Sequence, residues 1–191
     1  MIKVDRILNF WFGREDETDY GKRRVIWFAK DPEFDRKIQI CFQEDYKQAA
    51  AGKLDHWKES PKSCLALLLL LDQFPRNMFR GTPQAFTTDS QALCVAEHAI
   101  AKGFDQELLM VQRWFIYLPF QHSEDINRQR QSVELFRQLG DDPRNVDAIY
   151  YTIRHLEIIE RFGRFPHRNE ILGRATTSEE AEFLKQPGSS F

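Results

Sequence analysis

Apolar side chains recur along this chain at three- and four-residue spacing, the pattern of one face of an α-helix. Residues 4–12 read as a short apolar helix stopped by Gly13. The next helix has clear ends: Asp31 suits an N-cap, Pro32 the first helical position, and Gly52 the turn past the last residue. Its buried stripe is Phe34, Ile38, Cys41 and Phe42. Ser60 and Pro61 repeat that start signal before the apolar run of residues 64–71. Residues 83–102 form a further helix stopped by Gly103, and residues 105–118 another, ended by Pro119. Ser123 is expected to cap a helix reaching Leu139 and Gly140. Pro143 opens a long helix to Phe162, and Thr177 or Ser178 caps a short last one. No segment alternates apolar and polar side chains with period two, as a half-buried strand does. The pattern predicts an all-α fold of about eight helices in antiparallel hairpins, a bundle or solenoid in a single domain over residues 1–191.

Two helices are apolar on nearly every face, residues 64–71 and 108–118, and such helices are surrounded by protein. In the long helix, 100° per residue places Val146, Ile149, Tyr150, Ile153 and Leu156 on one stripe, which reads as the core face. Glu157 and Glu160 fall on the same stripe, and His155, Tyr151, Ile158, Ile159 and Phe162 lie opposite. Carboxylates on a core face need partners. The nearest in sequence are Arg161 and Arg164.

Composition narrows the function classes. At 191 residues, with 42% hydrophobic and 29% charged side chains, the chain has an ordinary globular balance. The net charge of −2 argues against nucleic acid as a partner, since phosphate-backbone binding shows as a basic excess. The longest apolar run spans about 12 Å as a helix, against about 30 Å of membrane hydrocarbon, so no membrane span is expected. The opening residues carry Asp5 and lack a small-residue cleavage site, unlike a signal peptide. Cys41, Cys64 and Cys94 are widely spaced, with no CxxC pair. They read as buried reduced thiols in a cytoplasmic protein.

Three polar stretches abut apolar helices. LDQFPRNMFRG (residues 71–81) runs from a wholly apolar helix into Asp72, Gln73, Arg76, Asn77 and Arg80. It is either a helix C-terminus whose arginines complement the dipole or the delivery of Asp72 and Arg76 into a cavity. In LPFQHSED (residues 118–125), capping accounts for Ser123, Glu124 and Asp125 but not for His122. That histidine beside carboxylates suits a general acid or base. RFGRFPHRN (residues 161–169) threads Arg161, Arg164, His167 and Arg168 among buried-type residues. These either pair with Glu157 and Glu160 or, with Asn169, hold an anion, for which arginine's bidentate fork is suited. Arg113, with Gln112 the polar exception on an apolar helix, joins the binding candidates. No ExxH, HExxH, GxSxG, P-loop or GxGxxG pattern is present, so no metal and no cofactor is expected.

Together NFWFG, IWF, LDQFPRN, FRGTPQAFTTD, RWFIYLPFQHSED and RFGRFPHRNEILGR resemble, in order and over essentially the whole chain, the bacterial family named domain of unknown function 924. The resemblance implies an all-α fold of tetratricopeptide-like type and no established activity. It marks Asp72, Gln73, Arg76, Asn77, Arg80, His122, Ser123, Glu124, Arg164, His167, Arg168 and Asn169 as motif positions. Three readings stand. In the first, Arg76, Asn77, Arg80, Arg113, Arg164, His167, Arg168 and Asn169 bind a small phosphate or carboxylate, with His122, Glu124 and Asp72 as catalytic residues if there is turnover. In the second, a groove between helix hairpins takes an acidic peptide. In the third, the charged groups form a buried ion network with no ligand.

Overall fold

The computed structural model describes residues 3–190, and among them the secondary structure is helical, with no strand. The all-α reading holds. The chain divides into two compact units. One runs to Arg80 and resumes over Ala85–Pro119; the other comprises Gly81–Gln84 and the chain from Phe120 onward.

In the first unit α1 (Lys3–Phe12) ends at Gly13, whose φ of +86° is left-handed backbone that glycine adopts without strain. The last carbonyls of α1 lack intrahelical partners. Arg24 Nη1 donates to Phe10 O and Trp11 O at 2.9 and 2.7 Å, and Trp27 Nε1 donates to Trp11 O at 2.8 Å. α2 (Pro32–Ala50) starts as its sequence predicts: Asp31 Oδ1 accepts the Glu33 and Phe34 N–H groups at 2.9 Å each. Between these helices sits an aromatic core. Trp11 meets Phe115 edge-on at 5.6 Å, Trp27 meets Phe115 at 5.0 Å, and Phe42 meets Phe74 at 4.9 Å. Each fully buried ring contributes roughly 1.5–3 kcal/mol, so these rings carry much of the unit's stability.

α3 (Pro61–Leu68) does not stop at Leu71. It continues through a π turn, Leu69–Gln73, into α4 (Phe74–Met78). The cause is Pro75, which has no N–H and cannot continue the ordinary ladder. The Phe74 N–H reaches back five residues to Leu69 O, and the buried Thr88 hydroxyl donates to Leu71 O at 2.6 Å. The widened turn aims Asp72 and Gln73 inward, and both are buried.

The helix expected over residues 83–102 is instead a short 3-10 turn, Pro83–Phe86, followed by α5 (Asp89–Ala101). α6 (Met110–His122) begins after the extended Leu108 and runs through Pro119, which does not end it. A proline inside a helix costs about 3 kcal/mol. Every residue from Trp114 to Gln121 is buried, and that burial outweighs the lost bond. Of the three free cysteines only Cys64 is buried; Cys41 and Cys94 are exposed.

The second unit is built on α7 (Ile126–Arg137), α8 (Val146–Phe162) and α9 (Ser178–Leu184). The cap of α7 is Asp125, not Ser123. Asp125 Oδ1 accepts from Asn127 and Arg128 N–H groups at 2.8 and 3.0 Å, and Ser123 Oγ accepts from Asp125 N. Thr177 caps α9 reciprocally with Glu180, a capping box. Gly163, at φ +68°, turns the chain after α8 so that Phe165 meets Ile158, Ile159 and Phe183 in a small core.

The core face of α8 is the reverse of the expected one. Thr152, His155, Ile158 and Ile159 are buried, whereas Val146, Tyr150, Glu157 and Glu160 are exposed. The two glutamates are therefore solvated and need no buried partner. Arg154 meets Glu157 at 2.5 Å, Arg130 approaches Glu160 at 3.7 Å, and Arg161 pairs with Glu179 instead.

Candidate functional site

In the first unit the predicted polar residues engage carboxylates of the same unit. Arg76 Nη1 and Nη2 donate to the two oxygens of Asp89 at 2.9 and 3.0 Å, and Nη1 lies 3.3 Å from Asp72 Oδ1. The guanidinium also sits over the Phe86 ring at 5.7 Å, a cation–π contact. Burial alone would lower its pKa, but Asp72 and Asp89 raise it above the ordinary arginine value. Gln73 Nε2 donates to Asp72 Oδ2 at 2.5 Å. Asn77 and Arg80 converge on Asp35, Asn77 Nδ2 at 2.7 Å and Arg80 as a two-pronged fork at 2.8 and 2.9 Å. Arg113 donates to Tyr117 Oη, which in turn donates to the buried Asp105 carboxylate at 2.7 Å. Burial and that carboxylate push the Tyr117 phenol up to about 12.

In the second unit Arg164 clamps Glu180 through two bonds, Nε to Oε1 at 2.6 Å and Nη2 to Oε2 at 2.8 Å. This pair and the Thr177 N–H hold the buried Glu180 carboxyl at about 2, against the effect of burial. Glu124 accepts the Phe165 N–H at 2.8 Å and both terminal nitrogens of Arg174, at 2.7 and 3.0 Å. Arg174 Nη2 also donates to Phe165 O at 3.0 Å. Burial would raise the Glu124 carboxyl; Arg174, the Phe165 N–H and Arg168 bring it below the ordinary value. The backbone of Phe165 is thus tied on both sides.

The side chain of Phe165, fully buried, is ringed by cation-capable groups. The Arg168 guanidinium stands over its face at 4.6 Å, the His167 ring lies 5.6 Å away, and the His155 ring meets it edge-on at 5.4 Å. His122 follows Gln121, whose amide nitrogen lies 3.2 Å from the His155 ring, and so stands in the same neighbourhood. Asn169 is buried next to Arg168 and donates to Thr176 Oγ1 at 3.4 Å.

His155 is fixed in one tautomer. A carbonyl only accepts, so the Nδ1–H donates to Tyr151 O at 2.7 Å. That leaves Nε2 as an acceptor, and the Gln121 amide nitrogen lies beside the ring, 3.2 Å from Nδ1 and 3.5 Å from Nε2. Gln121 Oε1 in turn accepts the Thr152 hydroxyl at 2.8 Å, which Ala148 O shares. Burial drives the pKa of His155 well below 6.5, so the ring is neutral. Beside this chain Gln129 Nε2 donates to Gln121 O and Ser123 O, both at 2.6 Å, which closes the end of α6. Among the described residues, the buried Gln129 Oε1 and Ser132 Oγ have no hydrogen-bond partner.

His155, Gln121, Gln129 and Thr152 were not among the sequence candidates. His155 was visible on the face of α8 judged not to be core, and the glutamines carried no motif. Among the described residues no group of three or more His, Cys, Asp or Glu side chains is arranged to hold a metal.

The fold and these clusters define an all-helical protein whose polar groups are knitted into its helix ends. A family model described as bacterial protein of unknown function, domain 924, matches residues 7–188, and the chain belongs to that family. A solved structure of a protein of unknown function, ATU0120 from Agrobacterium tumefaciens, is 42% identical. The match covers 95% of this chain and 96% of that one, with a TM-score of 0.84. No curated protein matches the chain.

Proposed function

We propose that the second unit binds a small anion, a phosphate or carboxylate, at Arg168, His167 and His122, with Asn169 supporting Arg168. The observation that carries this reading is the convergence of Arg168, His167 and His155 on one buried ring, Phe165. Of the acids in these segments, Glu124 is paired with Arg174, Asp125 caps α7 and Glu180 is clamped by Arg164. Positive groups in a desolvated setting bind anions more strongly than the same groups in water. His122, half-buried, is the group placed for proton exchange with the bound anion, and Glu124 positions the loop carrying Arg168.

The remaining candidates serve the fold in this reading. Asp72 and Arg76 stabilise the π turn, Asn77 and Arg80 tie α4 to α2 through Asp35, Arg113 supports Tyr117, and Arg164 fixes α9. The internal pairing of these arginines favours the ion-network reading for them. Three free cysteines suit a reducing, cytoplasmic setting, and the net charge of −2 argues against nucleic acid as partner. Among the described residues no helix is long and apolar enough to cross a membrane.

Isothermal titration with inorganic phosphate and with citrate tests the proposal. Wild type and the surface variant Arg161→Ala are expected to bind alike. Arg168→Lys and His122→Asn are expected to lose about tenfold or more in affinity, the equivalent of one charge-assisted bond. Equal binding by all four proteins, or none by wild type, contradicts it.

A further inference from the structure

A cavity of about 180 Å³ opens in the first unit, and none of its lining side chains belongs to the polar clusters described above. The buried part of its wall is apolar: Ala49 at the end of α2, Leu71 in the π turn and Val95 in α5. The accessible part carries the exposed Cys94 and one charge pair, Asp55 and Lys58, whose carboxylate and ammonium are 3.0 Å apart. Apolar walls with a few polar groups at the mouth are the usual make-up of a small-molecule site. A π turn inside a helix is a second, independent marker of function, and here it supplies Leu71 to the wall. The volume exceeds the roughly 150 Å³ of a cavity that takes up benzene, so a short branched hydrocarbon fits. We propose that this cavity binds a small aliphatic amino acid, with its side chain against Ala49, Leu71 and Val95, its carboxylate on Lys58 and its ammonium on Asp55.

The argument for a zwitterion is charge complementarity. One cation and one anion stand side by side at the mouth, so a plain carboxylate meets Asp55 as a like charge and a plain amine meets Lys58 as one. A ligand carrying both charges finds a partner for each. The Asp55–Lys58 pair is itself an exposed one that contributes little to stability, so opening it to admit the ligand costs little. The frame around the pair is fixed, as a preorganised site requires. Both charges sit on one 3-10 turn, Asp55–Glu59. Ser63 Oγ donates to Trp57 O at 2.7 Å and His98 Nε2 donates to Lys58 O at 3.0 Å, which anchors that turn to α3 and α5. Gln91 Nε2 donates to Ala50 O at 3.1 Å and ties α5 to the end of α2 beside the cavity.

The rate at which iodoacetamide alkylates Cys94 in the full chain, read by peptide mass spectrometry, tests this, with the exposed Cys41 of α2 as internal reference. The readout is local to the cavity, so carboxylate binding in the second unit does not enter it. L-leucine and L-valine are expected to slow alkylation of Cys94 saturably and to leave Cys41 unchanged. Glycine lacks the side chain, isocaproate the ammonium and isoamylamine the carboxylate. Each is expected to need about tenfold more, or higher still, for half protection. Lys58→Met and Asp55→Asn are expected to weaken protection by leucine by a similar factor, with thermal melting confirming that both variants fold. Alkylation of Cys94 at the same rate with and without leucine overturns the proposal. So does equal protection by the acid or the amine alone, or protection by leucine that is unchanged in both variants.

Discussion

Two buried titratable residues of the second unit set opposite ends of its acid response. His155 is held neutral, with its pKa well below the 6.5 of a free imidazole, mainly through burial. As the pH falls through 6.5 the unfolded chain takes up a proton that the native state refuses, so stability falls from there downward. The melting temperature of wild type is expected to decline between pH 7.5 and pH 5, and that of His155→Gln to decline less over the same window. A flat wild-type profile across that window counts against a buried neutral ring. Glu180 acts lower on the scale. Its carboxyl is held at about 2, against 4.5 for an ordinary glutamate, chiefly by Arg164. Its contribution is complete above pH 4.5 and is lost as pH falls toward 2. Arg164→Ala is expected to cost about 1–3 kcal/mol at neutral pH, the cost of a buried acceptor left unpaired. Arg164→Met with Glu180→Leu should cost less than the single change. Urea unfolding of the three proteins measures this, and equal stability of wild type and Arg164→Ala would remove the pair from the account.

At the scale of elements, the sequence located helices better than it located where their irregularities lie. Gly13, Asp31 with Pro32, Gly52 and Thr177 all mark real ends, because capping and left-handed backbone are local chemistry. Pro75 and Pro119 misled, because a proline's effect depends on what its surroundings offer the freed carbonyl. At Leu71 that offer is the hydroxyl of Thr88, seventeen residues away and invisible to local reading. Thr88→Val removes the donor while keeping the shape. It is expected to destabilise the chain by about 1–3 kcal/mol, the cost of a buried acceptor left unpaired. A chemical-denaturation midpoint unchanged from wild type would mean that the π turn does not depend on this bond. The face of α8 was misjudged for a related reason. Periodicity shows that a stripe exists, but two apolar stripes on one helix compete, and Ile158 and Ile159 with Phe165 and Phe183 decided which one is buried.

For the molecule as a whole, the all-α class and the family were legible in the sequence, and the division of labour among the arginines was not. Arg76, Arg80, Arg164 and Arg168 look alike in their motifs. Arg76 meets Asp89, Arg80 meets Asp35 and Arg164 meets Glu180, while the Arg168 guanidinium stands over the Phe165 ring. Partners as distant as Asp35 from Arg80 are set by packing, not by local pattern. The histidine cluster was half legible: His122 and His167 stand in motifs, while His155 is recognisable only once the buried face of α8 is known. The central claim is that His122, His167 and Arg168 form an anion site beside a buried, neutral His155. Proton–nitrogen correlation spectra of the histidine side chains, recorded while inorganic phosphate is added at constant pH and ionic strength, test it most directly. The account predicts saturable shifts of His122 and His167, with the His155 ring remaining neutral in its Nδ1–H tautomer throughout. Signals of His122 and His167 that move no more than those of His56 and His98 in the first unit, or an imidazolium signal from His155 at neutral pH, would contradict it.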